Sequence, residues 1–244
     1  MDLYFQGILI AFKGAPTTLY VSAIAVFMGV VFGLVLALMK LSKSKVLRFI
    51  STLYIEVIRD TPLIVQALIF AYGIPQILQK SGVPFKWPYL IIPAIIVCGM
   101  NSAAYVAEII RSGLQAVDKG QMEAARSLGM TYWQAMKIVI IPQAFKIVIP
   151  AFGNEFVTMI KETCVLSYVG VVEILRRGAL WNAATFNTFQ AYIGVAVCYF
   201  CFTYPLSKLM AYIEKRLSTD SGAEKIKKGK YVSLPEAKAE EETA

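Results

Sequence analysis

The sequence predicts an all-α membrane protein of five transmembrane helices, N-terminus outside and C-terminus inside, and three observations carry that expectation. Of its 244 residues 57% are hydrophobic and only 16% are charged, whereas soluble chains average roughly 45–50% apolar and about 25% charged residues. The apolar residues gather into five runs long enough for a hydrocarbon core of about 30 Å, which takes roughly 20 helical residues. Lys and Arg fall between these runs with a strong bias to one side.

The first run, 18–39, carries no charge, and Gly29 and Gly33 give it a small-x-x-x-small face suited to close helix contact. It lacks the basic start and short apolar stretch of a signal peptide, so it reads as uncleaved. Residues 1–17 read as an N-terminal segment, apolar through Phe12, lying along the outer interface. Their Leu3-Tyr4-Phe5-Gln6-Gly7 also matches the scar of a cleavable tag, and the native reading is preferred. The second run, 53–78, holds Glu56, Arg59 and Asp60 near its start; the third spans 89–110. The fourth, 144–168, contains Pro150, which should kink it or mark its true beginning. The fifth is 189–213, followed by a polar tail, 218–244, whose Lys and Glu clusters predict disorder. The transmembrane domain is thus 18–217, with an inward-facing loop at 111–143.

Orientation follows from the cations. With the N-terminus outside, seventeen Lys and Arg face inward, from Lys40 to Arg48, from Arg111 to Lys146, and from Lys208 to Lys238. Only Lys13, Lys80, Lys86, Arg176 and Arg177 face outward, while Arg59 and Lys161 lie within runs. The formal net charge of +8 is therefore a matter of topology; the cations form no face or arm suited to nucleic acid. The chain has no His, which removes His-ligated metals, the Ser-His-Asp and Cys-His nucleophiles and the usual proton switch near neutral pH. Cys98, Cys164, Cys198 and Cys201 sit in apolar sequence, and the lone C-x-x-C at 198–201 reads as packed or lipid-facing thiols rather than zinc ligands.

The loop 111–143 is too polar to cross a membrane, yet it carries helix-start signals. Asp118 with Gln121, and Thr131 with Gln134, have capping-box spacing. Between them Met122 to Leu128 form a short helix closed by Gly129, with an apolar stripe at Met122, Ala125 and Leu128 and with Glu123 and Arg126 beside it. Such a helix is marginal alone in water and needs a docking surface.

Glu123-Ala124-Ala125, then Gly129, then Pro142 thirteen residues later, resembles the EAA loop of permease subunits in bacterial ABC importers. Glu56-Val57-Ile58-Arg59-Asp60-Thr61-Pro62-Leu63 resembles the second-helix motif of the polar amino acid branch, the histidine, arginine and glutamine type. Pro142-Gln143-Ala144 through Pro150, Asn154, Lys161, Glu162 and Thr163 resembles that branch's segment after the loop. The likeness runs from about Gly14 to Leu217. It departs at Val139 and Ile141, where the family usually has Ile and Leu, and at Cys164-Val165, which replaces a Ser-Leu pair.

The resemblance implies a type I ABC importer permease with a cytoplasmic coupling helix, placed in the bacterial inner membrane. It implies two ATPase subunits carrying ATP and Mg, a second permease, identical or homologous, and an extracytoplasmic amino acid-binding protein. The chain itself would hold no cofactor, and its sequence contains no G-x-x-x-x-G-K-[ST] phosphate loop. The coupling residues would be Met122, Ala125 and Leu128 against an apolar groove, Ala124 for close approach, Glu123 for a charged partner and Gly129 for chain reversal.

Polar groups within spans are costly and so are default candidates for substrate contact. Asn101, Ser102, Tyr105 and Glu108 in the third span, with Asn154, Glu155 and Thr158 in the fourth, make a candidate midplane site. Asn101, Tyr105 and Glu108 share one helical face, and a buried carboxylate such as Glu155 would pair with a substrate ammonium. The competing structural reading has Arg59, Asp60, Glu155, Lys161 and Glu162 pairing among themselves. Two functional alternatives stand beside the importer: an ion-gradient-driven secondary amino acid carrier, using Glu108, Glu155 and Lys161 as a relay, and a receptor-like membrane protein with no flux.

Overall fold

The structure, a computed structural model, describes residues 3–219; most of the polar tail lies outside the described residues. Every regular element among these residues is helical, with no strand among them, and an irregular connection runs over 81–90. Five stretches are long and apolar enough to cross a membrane: Leu3–Leu41, Leu63–Lys80, Ile91–Gln115, Tyr132–Val169 and Thr188–Leu217.

The first stretch is two helices, α1 (Leu3–Phe12) and α2 (Ala15–Leu41), joined by a turn at Lys13-Gly14. The N-terminal segment is packed helix: a Cβ added at Gly7 would lie 2.5 Å from the Gln190 carbonyl oxygen, and one at Gly194 would lie 2.4 Å from the Gly7 carbonyl carbon. Two backbones therefore touch where α1 meets the last helix, α11 (Thr188–Thr219). The expected small-residue face of α2 is also in place, against α6 (Ile91–Gln115). A Cβ at Gly29 would fall 2.4 Å from Ser102 Oγ, and one at Gly33 would fall 2.7 Å from Val106 Cγ1.

The second run is broken where an unbroken span was expected. Helix α3 (Lys45–Arg59) ends before Asp60-Thr61-Pro62, and α4 (Leu63–Leu68) restarts behind the proline. Pro62 has no N–H to extend α3 and biases Thr61 away from helical geometry. The Gln66 side-chain amide caps the break, donating to the Ile58 carbonyl at 2.8 Å and to Thr61 Oγ1 at 2.7 Å. A π-helical turn, Ile69–Gly73, then leads into α5 (Ile74–Lys80). Tyr54 of α3 donates its hydroxyl to the Met100 carbonyl of α6 at 3.0 Å.

After α6, the loop folds into α7 (Lys119–Ser127) and α8 (Tyr132–Ala135), and a second π turn, Met136–Ile140, feeds α9 (Ile141–Glu162). Helix α9 starts earlier than its hydropathy suggests because Pro142 suits a first turn, and it runs through Pro150. A 3₁₀ stretch, Thr163–Val169, ends at Gly170 with φ +90°. Helix α10 (Ile174–Thr185) then turns back toward α11. The main core joins α2, α4, α6, the end of α9 and the 3₁₀ stretch through Val21, Ala25, Ala67, Val97, Cys98, Met159 and Leu166.

Gly29→Val forces a branched side chain against Ser102 and should destabilise the protein by about 1–3 kcal/mol, read as a lowered melting temperature of the detergent-solubilised chain. Gly73→Ala is the control, since its added Cβ meets nothing nearer than Ile69 Cγ2 at 3.7 Å; its melting temperature should not fall.

Candidate functional site

The close approach of α2 sets the depth at which α6 presents its polar residues. Ser102, fully buried beneath Gly29, donates its hydroxyl to Glu155 Oε1 of α9 at 3.0 Å, and Glu155 is 8% exposed. Asn101 beside it is 4% exposed, and its Oδ1 has no hydrogen-bond partner. A buried acceptor without a donor is costly. Two of the candidate residues are thus in contact, a carboxylate and its hydroxyl partner, and the adjacent residue along α6 carries an unsatisfied amide oxygen.

The other candidates sit differently. Glu108 is held by two cations: Lys40 at the end of α2, and Arg111, whose Nε and Nη2 lie 2.9 and 2.7 Å from Glu108 Oε2. The carboxylate expected at the midplane is therefore an ion-paired tie between the ends of α2 and α6. Tyr105, half-buried, lies under the Arg59 guanidinium, 5.2 Å from the ring centroid. Asn154 is exposed and Thr158 half-buried. Arg59, Asp60, Glu155, Lys161 and Glu162 form no salt bridge with one another, whereas Glu108 pairs with Lys40 and Arg111. The alternative in which those five fix the packing is corrected by that geometry.

The loop 111–143 is the second candidate element. Asp118 caps α7 by accepting from the Gly120 amide at 2.6 Å, while the Gln121 side chain, instead of completing a box, pairs with Gln143 at 3.3 Å. The Thr131–Gln134 box is complete, at 2.8 and 3.3 Å. Gly129, φ +86°, closes α7 in a Schellman arrangement: its own amide donates to Arg126 O at 3.0 Å and the Met130 amide to Ala125 O at 3.2 Å.

The apolar stripe divides. Met122 and Ala125 turn inward, Met122 against a cluster of Val117, Ile140 and Ala144, and Ala125 is 4% exposed. Leu128 is 81% exposed and shares the outer surface with Glu123, Ala124, Arg126 and Gly129. Tyr132 and Trp133, an edge-to-face pair with centroids 5.7 Å apart, extend that surface. Periodicity had marked the stripe without saying which body covers each part of it.

One buried acid escaped the sequence reading. Glu173, 1% exposed, caps α10 by accepting from the Leu175 and Arg176 amides, both at 2.7 Å, and takes a third bond from the Tyr199 hydroxyl at 2.7 Å. Gly14 packs on its backbone, where an added Cβ would lie 2.4 Å from the Glu173 carbonyl carbon. Its only sequence signal is an acid standing just before a helix-forming run. Burial pushes its carboxyl above the usual range, opposed by the Leu175 amide, the Tyr199 hydroxyl and the Arg176 amide. The cysteines are all free; Cys198 is buried against Ala11 and Ile174, and Cys201 is exposed. No cluster of His, Cys, Asp and Glu fit for a metal occurs among the described residues.

Residues 29–219 match the family described as "Binding-protein-dependent transport system inner membrane component". The probable glutamine ABC transporter permease protein GlnM of Bacillus subtilis is 37% identical over 218 residues, 89% of this chain and 97% of that protein. The arginine transport system permease protein ArtQ of Bacillus subtilis is 36% identical over 208 residues, covering 85% and 92%. Among solved structures, an amino acid ABC transporter crystallised with histidines superposes with a TM-score of 0.80 at 42% identity, covering 88% of this chain and 99% of the other. The inward-facing MetNI methionine ABC transporter shares the fold, with a TM-score of 0.66 at 20% identity and 86% and 96% coverage.

Because the folded Glu173 holds its proton at a pH where the unfolded chain has released it, stability should fall as pH rises from the ordinary carboxylate range through the elevated folded value. Melting temperatures taken from about pH 4 to about pH 8 should show that slope in the wild type and a flatter one in Glu173→Gln.

Proposed function

As the chain belongs to the family of binding-protein-dependent transport system inner membrane components, we propose that it is the membrane-spanning subunit of an ATP-driven importer that translocates a polar amino acid. The chain is a transport subunit rather than an enzyme, as its relatives are named permeases. The proposed complex sits in the bacterial cytoplasmic membrane, N-terminus outside. It contains two ATPase subunits that bind and hydrolyse Mg-ATP, a second permease, identical or homologous, and an extracytoplasmic binding protein that delivers the substrate. The family and the named relatives favour this reading over an ion-gradient carrier.

The observation that carries the reading is the capped rod α7. It is fixed to the bundle through Met122 and Ala125 and offers Glu123, Ala124, Leu128 and Gly129 outward. Its two ends continue into the helices that bear Ser102 and Glu155. Closure of the ATPase pair draws the rods of the two permeases together and tilts those helices. Moving an equilibrium from 1:99 to 99:1 takes about 5.5 kcal/mol of differential binding, which a frayed loop cannot transmit and a rod capped at both ends can.

The substrate site we assign to Glu155, Ser102 and Asn101. Glu155 as a carboxylate and Asn101 through its free Oδ1 are acceptors, so the cluster suits the ammonium of an amino acid, or a cationic side chain, and disfavours acidic ones. That chemistry agrees with relatives named for glutamine and arginine.

In proteoliposomes holding the whole complex, Gly129→Val should cost about 1–2 kcal/mol at a left-handed residue and uncouple ATP hydrolysis from uptake, with the amount of protein in the membrane unchanged. Uptake at the wild-type rate would sink the coupling assignment. Glu155→Gln should lower uptake at least about tenfold, the equivalent of about 1.4 kcal/mol. Equal transport of every amino acid tested before and after the change would remove Glu155 from the site.

A further inference from the structure

Beside α1 lies an open groove of about 530 Å³, lined by Gln6, Leu9, Ile10, Phe12, Lys13 and Trp181. Its walls are fixed by the tightest backbone contact of the N-terminal helix. Gly7 abuts the Gln190 carbonyl, and its added Cβ would meet the Trp181 ring at 3.3 Å. The groove is therefore a built surface feature and not a gap between loose side chains. Along its length it is apolar, and α1 belongs to a stretch apolar enough to cross a membrane.

One end of the groove is charged. Lys13 is the only Lys or Arg before Lys40, it is exposed, and its ammonium has no ion-pair or hydrogen-bond partner among the described residues. The Gln6 amide and the Trp181 indole N–H likewise have none. Three donor-bearing side chains thus line an otherwise apolar channel, Lys13 at the turn where the chain bends from α1 into α2 and Gln6 and Trp181 nearer Gly7. Trp is the residue type favoured where apolar and polar surroundings meet.

We propose that this groove binds one phospholipid and selects an anionic headgroup: the phosphate is held by Lys13 at the charged end, and the acyl chain lies along Phe12, Ile10 and Leu9 toward Gln6 and Trp181. Charge complementarity sets the selection. A headgroup with net negative charge gains the ammonium, whereas in a zwitterionic one the lipid's own ammonium competes for the phosphate. A single surface cation changes affinity for anionic lipid by about fivefold, and that is the size of the preference expected here.

The full-length chain is purified in detergent, supplied with phosphatidylglycerol, phosphatidylethanolamine or glycerol 3-phosphate, and observed by native mass spectrometry. The wild type should retain one phosphatidylglycerol at about fivefold higher occupancy than phosphatidylethanolamine. Glycerol 3-phosphate, which lacks acyl chains, should not bind. Lys13→Ala should bring phosphatidylglycerol down to the phosphatidylethanolamine level, Lys13→Arg should restore it, and Ile10→Trp, which fills the groove, should lower both lipids. Equal retention of the two lipids by the wild type, unchanged preference in Lys13→Ala, or binding of glycerol 3-phosphate as strong as that of the lipid would overturn the proposal. The outcome is independent of which solute the protein transports.

Discussion

The architecture depends on the contact between α2 and α6 at Gly29 and Gly33, where the absence of side chains lets one helix lie directly on the other. Within lipid there is no hydrophobic drive between helices, so their association rests on close packing and on interhelical hydrogen bonds. Both are present at one level. Gly29 covers Ser102, and Ser102 bonds across to Glu155 of α9. A third helix is thereby tied to the first two by a buried polar contact whose position the glycines determine. The same logic recurs between α1 and α11, where Gly7 and Gly194 bring two backbones together.

The loop is packed against the same bundle. Helix α7 is connected through 116–118 to α6 and through α8 to α9, and Met122 packs against Ile140 and Ala144, at the start of α9. Where α6 and α9 approach, Gly113 meets Val148, whose Cγ2 would lie 2.3 Å from an added Cβ. The rod is thus joined to two helices at once, and those two helices carry the Ser102–Glu155 pair. The two π turns, Ile69–Gly73 and Met136–Ile140, interrupt regular helix on either side of this assembly; such bulges frequently accompany functional sites.

The charged residues divide by what surrounds them. Glu108 is neutralised by Lys40 and Arg111 where α2 and α6 approach their ends, an arrangement that ties the helices without leaving a bare charge. Glu173 is satisfied by two amides and a hydroxyl and fixes where α10 begins. Glu155 has one hydroxyl donor, and the Asn101 amide oxygen, beside that donor along α6, is left unsatisfied. Incomplete satisfaction of a buried polar cluster is expensive, and it is the physical reason for placing a ligand there rather than at the other two acids.

Much of this was legible in the sequence because it is local or periodic. Composition and run length determined an all-α protein with five membrane-crossing stretches, and the spacing of Gly29 and Gly33 marked a contact face before its partner was visible. Thr131 with Gln134 and the closing Gly129 followed from backbone chemistry that acts within a few residues. The break of the second run at Pro62 was local too, written in the proline and in the Gln66 amide that caps the severed end, yet a reading by hydropathy alone ran through it. Only the tertiary structure decided what depends on the partner. It gave Gln121 to Gln143 rather than to a capping box, turned Met122 and Ala125 inward while leaving Leu128 outside, and gave Glu108 to two cations. Glu173 stayed invisible for the same reason: its burial comes from Gly14 and Tyr199, far from it along the chain, and a sequence read in windows does not contain that contact.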